Sequence, residues 1–181
     1  DSVTGSSAAN VITTDLVNDN TGSDDTVDGA GGADTINTGA GDDAIYFSPD
    51  ANINAGTGTD TLRLRGAESD MTTATGSFTN FEVVDMSSDT GPNHLTLDLG
   101  NVRQMAGQVN PVLKIEGDAQ DQVSPSGDWL SLGPDANGYL QYVSGTATLL
   151  INPDVQVMGV SPTAGATPTL LQGYGLNDTL T

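Results

Sequence analysis

Apolar residues in this chain fall in short runs, broken every few positions by Gly, Asn, Asp, Ser or Pro. No stretch sustains a helical period. Alternation of apolar and polar positions over a few residues recurs from end to end, which is the mark of short strands. Between Asn20 and Tyr46 the alternation becomes strictly periodic. Three nine-residue units abut without a gap: NTGSDDTVD from Asn20, GAGGADTIN from Gly29 and TGAGDDAIY from Thr38. A fourth, AGTGTDTLR, starts at Ala55 after a short insertion around Ser48-Pro49-Asp50. In register, the sixth position is Asp25, Asp34, Asp43 and Asp60, and the eighth is Val27, Ile36, Ile45 and Leu62. The fourth position is Ser23, Gly32, Gly41 and Gly58. A degenerate earlier unit is expected around Asn10-Val11-Ile12.

Each unit has two halves. Glycines give the first half access to positive φ and close backbone approach, as turns require. The second half is a minimal strand that sends one aliphatic side chain inward. The aspartate sits where turn meets strand, so stacking the units arranges the aspartates in columns. Such columns repel one another unless a cation lies between them, and calcium takes 6–8 oxygen ligands from carboxylates and backbone carbonyls alike. Beyond the fourth unit the strict period dissolves, but strands are expected at 61–64, 81–86, 95–99, 112–116, 129–132, 139–143, 147–151 and 155–160. Turn clusters such as Asp89-Thr90-Gly91-Pro92-Asn93 separate them. Val102-Arg103-Gln104-Met105 is the one place suited to a single helical turn. The expected fold is all-β: a short parallel β-roll or solenoid with Ca²⁺ between turns, continuing into further strands in solenoid or sandwich form. The segments are a calcium-binding stretch 1–66, a β-rich ligand-binding or structural stretch 67–160, and a Thr/Pro/Gly-rich tail 161–181. Together they are expected to form one compact module, monomeric in isolation.

Charge sharpens this picture. Acidic residues number 24 against 4 basic ones, a formal charge of −20. The four are Arg63, Arg65, Arg103 and Lys114, with His94 the one histidine. Nucleic acid and anionic membrane are poor partners, because both need stripes of Lys or Arg, and neither nucleic-acid binding nor membrane insertion is expected. Divalent cations are the natural counterpart of such a chain. With no cysteine there is no disulfide framework and no thiolate metal site. No apolar run approaches the roughly 20 residues of a membrane span. No signal peptide is expected at Asp1, and the chain reads as a module of a larger protein.

The run from Asn20 to Arg63 resembles the glycine-rich nonapeptide G-G-x-G-x-D-x-U-x of RTX proteins. That resemblance implies a parallel β-roll with several calcium ions between turns. It implies Asp25, Asp34, Asp43 and Asp60 as carboxylate ligands, with carbonyls near Gly22, Gly31, Gly39 and Gly56 completing the shells. Asp24 and Asp42, each preceding a sixth-position aspartate, extend the candidate set. Asp25 and Asp43 should face one column and Asp34 the other. Asn20, Thr38 and Ala55 depart from the first glycine, and Ser23 from the fourth-position glycine. The stretches FEVVDM, NHLTLDLGNV, LKIEGDAQDQV, SGDWLSLG and YVSGTATLLI look like a distal segment of very large bacterial RTX adhesins. This implies a secreted, cell-surface adhesion module that reaches the extracellular space by type I secretion and captures a surface peptide or glycan. A peptide's terminal carboxylate would be held through Ca²⁺. The alternatives are a purely structural calcium-folded spacer and a non-catalytic accessory domain of a secreted enzyme.

Other constellations rank lower. Asp118 and Asp121 lie three apart in a turn and form a second candidate calcium loop, with a solvated acidic turn as the equal alternative. Asp128, Trp129, Tyr139 and Tyr142 gather scarce aromatics near an acid and are the candidate ligand surface, though a core role for Trp129 is favoured. Arg63 and Arg65 are expected to pair with local acids such as Glu68 or Asp70. Gly39-Ala40-Gly41-Asp42-Asp43-Ala44 fits G-x-G-x-x-A, but aspartates stand where a pyrophosphate would bind and a strand follows. Asp24-Thr26-Asp28-Gly29 opens like an EF-hand loop, yet Thr35 occupies the place of its bidentate Glu. No H-E-x-x-H, G-x-S-x-G or cysteine nucleophile is present, so catalysis is not expected. Any Ser-His-Asp arrangement would have to use His94.

Overall fold

The computed structural model describes residues 1–15, 22–66 and 68–160. Asn20 and Thr21 of the first unit, and the whole tail 161–181, lie outside the described residues. The first strands alternate between two sheets. β1 (Ser2–Thr4), β3 (Thr26–Asp28), β5 (Ala44–Tyr46) and β7 (Thr61–Arg63) join one sheet. The intervening β2 (Val11–Thr13), β4 (Thr35–Asn37) and β6 (Asn52–Asn54) join a second. A third sheet opens with β8 (Glu68–Asp70), after which β9 (Ser77–Thr79) closes the second and β10 (Val83–Asp85) returns to the first. β11 (His94–Leu97), β13 (Gln122–Pro125) and β17 (Gln156–Val157) complete the third sheet. β12 (Val112–Glu116), β16 (Ala147–Ile151) and the antiparallel pair β14 (Leu130–Pro134) and β15 (Leu140–Ser144) complete the first. Among the described residues the molecule is thus mostly β, with a nine-stranded sheet, two four-stranded sheets and one short helix.

Register explains the core. Three-residue strands bury one central side chain each, and parallel in-register pairing lines those centres up. Val3, Val27, Ile45, Leu62, Val84, Ile115 and Ile151 follow one another in register across the first sheet. Ile12, Ile36, Ile53 and Phe78 do the same across the second, and Ser69, Leu95, Val123 and Val157 across the third. These residues, apart from Ser69, belong to one continuous apolar cluster or pack against it.

Several sequence-based expectations need revision. The stretch at Ser48-Pro49-Asp50 is not an interruption but the turn of a full unit, whose strand β6 pairs with both β4 and β9. The expected strands 112–116 and 147–151 match β12 and β16. β8, β9 and β13 were not foreseen, because Glu68-Ser69-Asp70, Ser77-Phe78-Thr79 and Gln122–Pro125 carry too few apolar residues for alternation to stand out. Arg63 and Arg65 lie beside Asp85 and Asp28, at 3.9 and 2.5 Å, rather than Glu68 or Asp70. Across the division at residue 66 the strands β7 and β10 pair directly, so the first sheet is continuous there.

The helix α1 (Leu99–Ala106) is longer than one turn. Its start is set by a capping box that hydrophobic spacing does not reveal. Asp98 accepts the Asn101 N–H, and the Asn101 side chain accepts the Asp98 N–H. Val102 and Met105 are its buried residues, and it packs against β9, β12 and β16. Beside β9 it supplies what another strand would: Met105 C=O accepts from Phe81 N–H at 3.0 Å, and Gln104 Oε1 accepts from Phe78 N–H at 3.4 Å. An otherwise open strand edge is thereby covered. Among the described residues no helix is long and apolar enough to cross a membrane.

Candidate functional site

The sixth-position aspartates form the most regular polar arrangement in the molecule. Each occupies the residue just before a strand, and each accepts with one oxygen the backbone N–H of the residue before the preceding strand of its sheet. Asp43 Oδ1 accepts from Asp25 N–H at 2.8 Å, and Asp60 Oδ1 from Asp43 N–H at 2.9 Å. Glu82 Oε2 ends the row by accepting from Asp60 N–H at 2.8 Å. The amino nitrogen of Asp1 stands in the same relation to Asp25. In the second sheet Asp34 Oδ1 accepts from Asn10 N–H at 2.8 Å. Asp25, Asp43 and Asp60 therefore share the side of the first sheet, and Asp34 stands with the second. The physical reason is the parallel pairing: the residue that enters a strand has an N–H not yet engaged in the ladder, and a short carboxylate before the next strand of the same sheet reaches it.

A second row runs beside this one on the exposed side. Asp24 Oδ1 accepts from Asp42 N–H at 2.8 Å, and Asp42 Oδ1 from Thr59 N–H at 2.7 Å. These carboxylates reach forward along the stack, whereas the buried row reaches back.

The buried row leaves half of each carboxylate without a partner. Asp25, Asp34, Asp43 and Asp60 are each at most 2% exposed. Their Oδ2 atoms are all buried without a hydrogen bond. Among the described residues the only other buried side-chain atoms in that condition are Asn93 Oδ1 and Arg103 Nε. An ionised oxygen held out of water without a donor is costly, and it is relieved by a proton or a cation. Burial accordingly pushes Asp60 up to about 7, helped by the like charges of Asp43, Glu82 and Asp42 and opposed by the Asp43 N–H. Burial also raises Asp43, reinforced by the like charges of Asp25 and Asp15 and opposed by the Asp25 N–H.

Glycine makes room for this row. A side chain on Gly29 would meet Asp34 Oδ2 at 2.2 Å, and one on Gly58 would meet the Gly41 carbonyl at 1.9 Å. Gly22, Gly31, Gly39 and Gly56 all have positive φ. The Gly39 carbonyl already accepts from Thr57 N–H at 2.9 Å and keeps a second lone pair. Among the described residues no three His, Cys, Asp or Glu side chains converge as a metal cage. A hard cation here would be bound by carbonyls together with one or two carboxylates, a donor set that suits calcium and does not suit zinc or copper.

Comparison with protein-family models, with curated proteins and with solved structures gives no match.

The remaining candidates are arranged differently. Asp121 is buried and uses both oxygens, accepting from Asn93 N–H at 2.9 Å and Asp118 N–H at 2.8 Å. Asp118 Oδ1 accepts from Gln120 N–H at 2.8 Å, so this turn is closed by its own hydrogen bonds. Asn93 and Asp121 repeat in the third sheet the rung seen in the other two. Trp129 and Tyr142 lie in the core, 5% and 7% exposed, and the Trp129 indole N–H donates to the Ser126 carbonyl. Tyr139 is half-buried, its hydroxyl on Glu116 Oε1 at 2.8 Å and its ring under Lys114 Nζ. Asp128 is exposed. Sequence reasoning missed Glu82 as the end of the row. Its signal was an acid directly before the apolar run Val83-Val84, the same place that Asp25 and Asp43 hold before their strands.

Proposed function

We propose that this chain is a calcium-dependent module of an exported bacterial adhesin, with a β-roll of the RTX kind at its N-terminal end. The observation that carries the reading is the set of four buried aspartate oxygens without partners, all at the sixth position of the nonapeptide. Asp25, Asp34, Asp43 and Asp60 would hold the ions with carbonyls of the Gly22, Gly31, Gly39 and Gly56 turns. Bound calcium would supply positive charge to a chain that has almost none and would join successive coils. In the cell's low calcium the coils would stay weakly joined, and export into higher calcium would consolidate them.

Calorimetric titration of calcium into chelator-treated protein tests this. Saturable binding that is lost in Asp43→Asn and Asp60→Asn is expected; absence of binding to the unsubstituted chain overturns it.

The purely structural spacer is the second reading, favoured by one observation: Trp129 and Tyr142 are buried, which removes two of the four residues of the candidate ligand surface. Peptide and glycan arrays probed with the calcium-loaded module separate the two. Binding that requires calcium supports capture, and blank arrays support the spacer.

A further inference from the structure

The outward face of the third sheet carries an arrangement independent of the aspartate rows. Along β11 and β13 the apolar Leu95, Leu97 and Val123 point into the core, which turns His94, Thr96, Gln122 and Ser124 outward. Register places Glu68 beside His94, and Thr96 beside Ser124. His94 Nε2 lies 2.8 Å from Ser124 Oγ, and His94 Nδ1 lies 3.2 Å from Glu68 Oε2. Both ring nitrogens are thereby engaged. In the neutral ring, an N–H on Nδ1 donates to the carboxylate and leaves the Nε2 lone pair for the serine hydroxyl. Nucleophile, base and orienting acid thus come from three adjacent parallel strands, which fix their spacing. Acyl transfer needs this chain of contacts.

The geometry points to Ser124, His94 and Glu68 as a reactive triad that acts on small, unhindered carboxylic esters. Ser124 Oγ attacks the ester carbonyl carbon while its proton passes to His94 Nε2. The C–O bond to the alcohol breaks, and His94 returns the proton to the departing alkoxide. Water then attacks the acyl-serine, giving its proton to His94, and the acid leaves as Ser124 recovers its hydrogen. Glu68 touches no reacting atom; it positions the imidazole and balances its charge. The substrate class follows from exposure. The Glu68 side chain is 76% exposed and the site lies on a sheet face, so nothing grips a large acyl group. The residue after Ser124 is Pro125, which has no N–H to stabilise an oxyanion. Side chains of Thr96 and Gln122 on the same face are left for that task. The acceleration is therefore that of general-base assistance, roughly 10²–10⁴-fold, rather than that of a full hydrolase.

The calcium-loaded chain treated with a fluorophosphonate and mapped by peptide mass spectrometry provides the test. An adduct on Ser124 is expected, absent in Ser124→Ala and formed at least about tenfold more slowly in His94→Asn, with circular dichroism unchanged in both. Glu68→Gln should slow the labelling with circular dichroism unchanged, and Glu68→Asp should restore the rate. With p-nitrophenyl acetate, a burst of one acetyl group per chain should depend on Ser124. No adduct on Ser124 in the folded protein, or labelling that ignores the His94 substitution, overturns the proposal and leaves the three residues as a polar bridge between strands.

Discussion

At Asp43 one carboxylate serves two purposes that substitution can separate. Oδ1 caps the Asp25 N–H, and Oδ2 is buried without a partner. Asp43→Ala removes the cap and leaves that N–H buried and unpaired, at a cost of about 1–3 kcal/mol with or without calcium. Asp43→Asn keeps an acceptor for the N–H and deletes the charge. The asparagine variant should therefore melt no lower than the parent in chelator, yet gain less from calcium. Paired thermal melts of the two variants check this, and equal behaviour would remove the metal role of Oδ2. His94 shows the opposite side of single-residue reading. Its place in a strand was legible in the sequence, but its partners were not. Glu68 and Ser124 are brought to it by parallel register, from 26 residues before and 30 after.

At the scale of elements, glycine and capping residues decide how closely successive turns and strands approach. Gly58 has φ 144° and no room for a methyl group beneath the Gly41 carbonyl, whereas Gly31 has φ 91° and open space around it. Gly58→Ala should lower stability by several kcal/mol, because strain and a backbone clash combine, and Gly31→Ala by only about 1 kcal/mol from strain. Denaturant unfolding of both ranks them. Asp98→Ala should cost about 1 kcal/mol through loss of the N-cap of α1. The nonapeptide strands were readable because Val27, Ile36, Ile45 and Leu62 recur against glycine at a fixed interval. The third sheet was hard to read because Ser69 takes an apolar place in β8, and because α1 begins on a hydrogen-bonded pair rather than on an apolar stripe. The sides of Asp25, Asp34 and Asp43 are those that the resemblance to a two-sided roll implies, whereas Asp60 shares the side of Asp43 because β6 lies between β5 and β7 in the chain and pairs in the second sheet. That only one oxygen of each would be engaged could not be read, since the engaging N–H groups stand before the preceding strand of the same sheet.

For the whole molecule, pH and calcium should act against each other. Asp60 is raised to about 7 in the folded chain from an ordinary value of 3.8. The unfolded chain then loses its proton first as pH climbs, so metal-free stability is full below about pH 4 and is lost progressively up to about pH 7. Asp43 adds in the same direction. Metal-free protein should accordingly melt higher at pH 5 than at pH 7.5. In calcium the order should reverse, because protons displace the ion from the same oxygens. Melting temperatures at the two pH values, with and without calcium, read this directly. A pH trend of the same sign in both conditions speaks against shared oxygens.

The most direct measurement is thermal melting followed by far-ultraviolet circular dichroism, in millimolar calcium and in EGTA with magnesium present. A metal that joins neighbouring strand turns should raise the midpoint by about 10 °C or more, and chelation should bring it back down. Superimposable curves in the two solutions would contradict the account, since the four buried oxygens would then need no ion.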